Sequence, residues 1–243
     1  MSDLHVKRIA NQIRTGKWQF NGDTIKVAKT GDVLDGQHRL WAVIEANMPI
    51  KTIIVYGIDK DAFSTIDTIR KVRTGKDVLA LAGVEQHRET TASALRWLTI
   101  YQRHQMEDFN KPTNKIENSD IESMFADNPM IIRAVERCSS VKNIVNPALI
   151  SFMYYVVTTR DAMLAERFIS TLIDPTGTSI DDPIFRLRTH FISNRTQGKR
   201  MVATEDIALM IKALNAAKRG RKVGNLRWVS QGKQAEEFPK LDI

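Results

Sequence analysis

Asp35, Gly36, Gln37, His38 and Arg39 stand in succession, with Val33 and Leu34 before them and an apolar run from Leu40 to Ile44 after them. A strand that turns at a glycine and opens a helix accounts for this order. Gly36 takes a positive φ at no steric cost. Beyond it, the first-turn amides have no partner inside the helix and carry the positive end of its dipole. A phosphate is the natural ligand of such a place, and Gln37, His38 and Arg39 add side-chain donors to it. Arg39 offers a planar, permanently charged fork that suits phosphate; its structural alternative is a salt bridge to Asp35 or Asp67. His38 can donate to phosphate, act as a general base or ligate a metal, although a lone histidine here is more often a hydrogen-bonding partner. Asp35 either braces the turn by accepting backbone amides or holds Mg²⁺ beside phosphate oxygens. Gln37 either reads a base edge or fixes the loop. As catalytic residues, Asp35, His38 and Arg39 would form a metal-assisted phosphoryl-transfer site.

The elements that position this stretch are short. Val6, Ile9, Ala10 and Ile13 recur at helical spacing and predict a helix over 4–15, stopped by Gly16. Residues 24–28 and 32–34 read as two strands joined through Lys29-Thr30-Gly31. A helix over 37–46 follows, then a β-branched run at 50–58 that reads as a buried strand, then a short helix over 59–66. Trp18 and Trp41 are expected in the core, with base stacking on either as the minor reading, and Glu45 in solvent. Asp67, Arg70 and Arg73 form a second mixed-charge cluster downstream.

From about residue 75 the pattern is helical. Helices are expected over 90–105, from a capping box at Ser119 and Glu122, from Asn146-Pro147, over 162–172 and over 201–218. Lys111 to Asn114 reads as a loop within this half.

The composition is ordinary for a soluble globular chain of 243 residues, with 42% hydrophobic and 26% charged. No apolar run reaches the roughly 18 residues of a membrane span, and the amino terminus shows no signal peptide pattern. One cysteine, Cys138, excludes an internal disulfide and a cysteine-rich zinc site, which fits a reducing cytoplasm. His87, His104 and His190 lack zinc-site spacing to carboxylates. The net charge of +8 is uneven: from Arg186 to Lys233 twelve Lys/Arg face two acids, Glu205 and Asp206. That asymmetry points to a polyanionic partner, most often nucleic acid, with Lys218, Arg219, Arg221, Lys222 and Arg227 as contact candidates. A solvated, solubilising surface is the alternative.

Over Leu34 to Ala42 the chain resembles the ParB/sulfiredoxin superfamily, in its DGQHR-type branch of phage and bacterial proteins. The surroundings agree: Gly16-Lys17-Trp18 and Asn21-Gly22 upstream, Ile66-Asp67-Thr68, Arg70 and Arg73-Thr74 downstream, and Phe238-Pro239 near the end. The resemblance implies a small α/β domain whose Gly-x-x-Arg motif, here Gly36-Gln37-His38-Arg39, opens a helix that contacts phosphate. Those phosphates belong to ATP in sulfiredoxin and to CTP in ParB proteins, and some members are described as nucleases. A nucleoside triphosphate with Mg²⁺ is the implied cofactor, with Gly36, Gln37, His38, Arg39, Arg70 and Arg73 around its phosphates. Sulfiredoxin has a reactive cysteine where this chain has Gln37, so peroxiredoxin repair is not expected. No helix-turn-helix of the partition proteins is identifiable.

The expected fold is therefore α+β: a small ParB/sulfiredoxin-like α/β domain at 1–75, an all-helical domain at 76–220 and a basic, irregular tail at 221–243. The leading functional expectation is a cytoplasmic phage or prophage protein that binds nucleotide or nucleic acid phosphates at Gly36–Arg39 and DNA through its basic end. Its rivals are a metal-dependent phosphoryl transferase or nuclease, and a non-catalytic protein-interaction module in which the motif is only structural.

Overall fold

The computed structural model describes residues 2–61, 74–106, 115–199, 202–230, 232 and 234–243. It is mixed α/β and mostly helical. The chain divides into two units, one holding the described residues up to 61 and the other those from Thr74 onward.

In the first unit, α1 (Asp3–Arg14) leads to strand β1 (Thr24–Ala28), strand β2 (Val33–Asp35), helix α2 (Gln37–Ala46) and strand β3 (Ile53–Ile58). The strand order is β2-β1-β3. β1 pairs antiparallel with β2, placing Lys26 opposite Asp35, and parallel with β3, placing Ile25 opposite Ile54. The parallel pair needs a crossover, and α2 supplies it. Val6, Ala10 and Ile13 of α1 close on Ala42 and Ala46 of α2, with Trp18 and Ile50 beside them. Alanines four residues apart make a smooth stripe that lets the two helices approach.

β3 is not the buried strand its composition predicts. It lies at an edge of the sheet, and Ile53, Ile54, Val55 and Tyr56 are all exposed. β-branched residues favour any pleated surface, so composition does not separate a central strand from an edge one. Of the helix expected over 59–66, only the first residues lie among those described. The Asp67, Arg70 and Arg73 cluster and the loop at 111–114 fall outside them.

The second unit is helical: α3 (Gly75–Leu81), α4 (Arg88–Gln102), α5 (Asn118–Asp127), α6 (Ile131–Arg137), α7 (Pro147–Thr158), α8 (Ala162–Ile173), α9 (Pro183–Thr196) and α10 (Ala203–Lys218). Its core runs through Leu95, Ile121, Phe152, Phe168, Phe191 and Met210. α7 starts as its sequence predicts, with Pro147 at the first helical position and the Asn146 side chain accepting from the Ala148 amide at 2.9 Å. The box that opens α5 is instead formed by Glu117 and Asp120. The described residues after Gly220 form neither helix nor strand, yet they are not a loose tail. Trp228 stacks edge-on against Phe238, Leu241 is buried, and Arg160 and Asn215 donate to the carbonyls of Leu241 and Lys240. No helix among the described residues is long and apolar enough to cross a membrane.

Candidate functional site

Gly36 ends β2 and caps α2 with φ +92° and ψ 8°, in the left-handed region. The strand arrives against β1, and the chain must reverse within one residue. A Cβ at Gly36 would lie 2.9 Å from Cγ1 and 3.2 Å from Cα of Ile25 on β1, so both the conformation and the space demand glycine. The Gly36 carbonyl accepts from the amides of Arg39 and Leu40 at 3.0 Å. Gly36 has no side chain to cap the first turn of α2, and among the described residues no other side chain does so, leaving its leading amides, those of Gln37 and His38, at the positive end of the helix.

The neighbouring side chains are committed to the scaffold. Asp35 receives Lys26 Nζ at 3.0 Å, the cross-strand partner that the register places opposite it, and lies 3.6 Å from Arg39 Nη2. Burial alone would raise the Asp35 carboxyl. The hydrogen bond and charge of Lys26, the Gly36 amide and the Arg39 guanidinium outweigh that and hold it below the usual carboxylate range. Arg39 donates from Nη2 to the Thr24 carbonyl at 2.9 Å, while its Nη1 is buried with no hydrogen-bond partner among the described residues. The structure thus gives Arg39 the salt bridge to Asp35 that its spacing allowed. One guanidinium nitrogen is left over. His38 accepts from the Ser2 amide at 3.2 Å through Nε2, and its ring meets His5 edge-on at 4.9 Å. Gln37 donates to the Val33 carbonyl at 3.0 Å and so fixes the loop.

Beside this turn lies a cavity of about 650 Å³, a size suited to small ligands. Gln37, Leu40 and Trp41 line it from α2, β2 forms another wall, and Asp32 and Lys60 stand at its edge. Asp35, His38 and Arg39 do not line it, so the three residues expected to be catalytic do not converge there. Trp41 does, and it is 50% exposed, which corrects its expected place in the core. α1 covers the Ala42–Ala46 stripe, and Trp41 points away from that stripe. Glu45 is exposed as expected, with its carboxylate 3.6 Å from Arg14. Lys60 was not legible as a cavity residue, because only the fold brings it to Asp32, at 3.0 Å.

A nucleoside phosphate fits this arrangement, with an uncapped helix end for the phosphates and a cavity for the remainder. A protein-held Mg²⁺ fits less well. Asp35 is bound to Lys26 and Asp32 to Lys60, and no group of three or more His, Cys, Asp or Glu among the described residues could hold a metal.

The basic end divides in two. Lys218 pairs with Asp161 at 2.6 Å and Arg219 with Asp242, with both cations still partly exposed. Arg221, Lys222 and Arg227 are exposed; the hydrogen bond from Lys212 holds the Glu236 carboxyl low, and Arg227 nearby adds a little to that.

Comparison with protein-family models, with curated proteins and with solved structures found no match.

Proposed function

We propose that this chain binds a nucleoside phosphate at the amino end of α2, with the phosphates on the first-turn amides beyond Gly36. The observation that carries this reading is the uncapped, glycine-opened helix end lying next to a ligand-sized cavity that shares Gln37 with it. A helix end of this kind offers backbone donors and a favourable dipole to an anion without further machinery. The resemblance of Leu34 to Ala42 to the DGQHR-type branch of the ParB/sulfiredoxin superfamily supports it, as does the β-hairpin, helix and parallel strand around the motif. On this reading Arg39 sets the geometry: it ties α2 to β1 through Thr24 and steadies Asp35, and it holds Nη1 in reserve near the turn.

Replacing Arg39 would disturb the scaffold as well as the ligand, so Gln37→Glu is the cleaner test. Gln37 is exposed and occupies the first helical position. A carboxylate there gives up the bond to the Val33 carbonyl but gains a favourable interaction with the helix dipole, and it repels a phosphate on the same amides. We expect calorimetric titration with ATP or CTP at low salt to show binding weakened at least about tenfold, while the melting temperature stays within about 3 °C of the parent. Equal affinity in the variant would overturn the reading.

Nucleic acid contact through Arg221, Lys222 and Arg227 is a second reading, favoured by the exposure of all three on a surface where nearby Lys218 and Arg219 are already paired. Each lost phosphate contact flattens the plot of log affinity against log salt by about 0.9. The double variant Arg221→Ser/Lys222→Ser should therefore flatten the slope for duplex DNA by about 2. An unchanged slope would remove this reading.

A further inference from the structure

The cavity beside α2 carries an aromatic wall that phosphate binding does not use. Trp41 is half exposed and lies one helical turn beyond Gln37, within the same 650 Å³ space. A large aromatic surface left open to water in a concave site is a stacking platform for a planar partner. Asp32 and Lys60 supply an acceptor and a donor at the rim, and their mutual ion pair is exposed enough to exchange for a ligand's polar edge. Phe20 and Tyr56 are also exposed in this unit but do not line the cavity. A single aromatic wall in one open, concave space suits one base, whereas surfaces that bind single strands present successive aromatic platforms.

We propose that Trp41 stacks the base of a free mononucleotide whose phosphates sit at the amino end of α2, so that the cavity between α2 and β2 is a base-binding subsite. This rests on the phosphate reading above and adds the residue that holds the base and the form of the ligand: a free mononucleotide, rather than a strand. Stacking is indifferent to which base is presented, since each has a π face. Discrimination among bases would fall to Gln37, Asp32 and Lys60 at the edges.

The test is a calorimetric titration of the full chain at low salt with ATP, CTP, inorganic tripolyphosphate and a dT₁₂ oligonucleotide, for the parent, Trp41→Ala and Trp41→Phe. Trp41 is half in solvent, so its removal leaves the buried stripe of Ala42 and Ala46 in place, and the melting temperature confirms folding. We expect Trp41→Ala to weaken at least one mononucleotide about tenfold or more, to leave tripolyphosphate unchanged, and Trp41→Phe to recover most of the loss. Mononucleotide affinity that is the same in Trp41→Ala as in the parent overturns the stacking inference and leaves the phosphate reading standing. Binding of dT₁₂ without binding of any mononucleotide also overturns it. Failure of the parent to bind nucleotide and tripolyphosphate alike overturns the phosphate reading, and the subsite with it.

Discussion

Gly36→Ala unfolds the first unit more readily by about 2–4 kcal/mol. Two costs combine. An alanine held at φ +92° pays for a left-handed conformation, on the order of 1 kcal/mol or more. Its Cβ also meets Ile25 at 2.9–3.3 Å, including the Ile25 Cα at 3.2 Å. Backbone cannot swing aside as a flexible side-chain end can, so the hairpin or the start of α2 must shift, at about 1–3 kcal/mol. Gly31→Ala is the control. Gly31 has φ +89° but nothing within 4 Å of a built Cβ, so it carries the conformational cost alone. Urea unfolding followed by circular dichroism should place Gly36→Ala well below Gly31→Ala. Equal losses would mean that the approach of Ile25 is not a constraint.

The second large effect concerns Asp206, on the first turn of α10 and only 2% exposed. Burial, with Glu205 adding to it, pushes its carboxyl up to about 7. In the unfolded chain the same group titrates near 3.9. Between about pH 4 and pH 7 the folded chain therefore keeps a proton that the unfolded chain releases. Stability contributed by this residue falls as pH rises through that window and is level above it, by at most about 4 kcal/mol. Asp35, Asp161 and Glu166 are held low by their partners, and their contributions are lost in the opposite direction, as pH falls. The difference between the parent and Asp206→Asn isolates the residue. Asparagine keeps the shape of the neutral acid, so the variant should be more stable than the parent at pH 8 and nearly equal to it at pH 4.5. A difference that does not grow with pH would show that Asp206 is ionised in the fold.

The local turns were legible because short-range chemistry decides them. Gly36 had to open a helix wherever that helix went, and Asn146-Pro147 had to start one. The capping box of α5 shows where local chemistry stops being decisive. Ser119 with Glu122 and Glu117 with Asp120 are both workable boxes. Asp120 is chosen because Arg103, at the end of α4, reaches it at 2.7 Å. Trp41 was misplaced for a similar reason: an apolar helix of ten residues has more than one face to bury, and the partner's position selects the Ala42–Ala46 stripe. Charge was legible as an excess but not as a surface. Asp161 lies 57 residues from Lys218 in sequence, and nothing in the basic run reveals that it is there. In the candidate site, the glycine and the free amides could be read from residue types, while the cavity, Trp41 as its wall and Lys60 at its rim emerge only from the fold.

The small apolar interior shared by α1 and α2, set beside the phenylalanine-rich interior around α7 and α10, separates the two units in time. Amide hydrogens exchange with solvent through openings whose frequency follows the local free energy. Those of β1 and α2 should label in deuterium well before those of α7 and α10. The candidate site is therefore built on the faster-breathing part of the molecule, where a bound ligand has the most opening to suppress. Slower labelling of α2 on adding a nucleotide, with α7 and α10 unchanged, would give occupancy a signature that needs neither turnover nor a crystal.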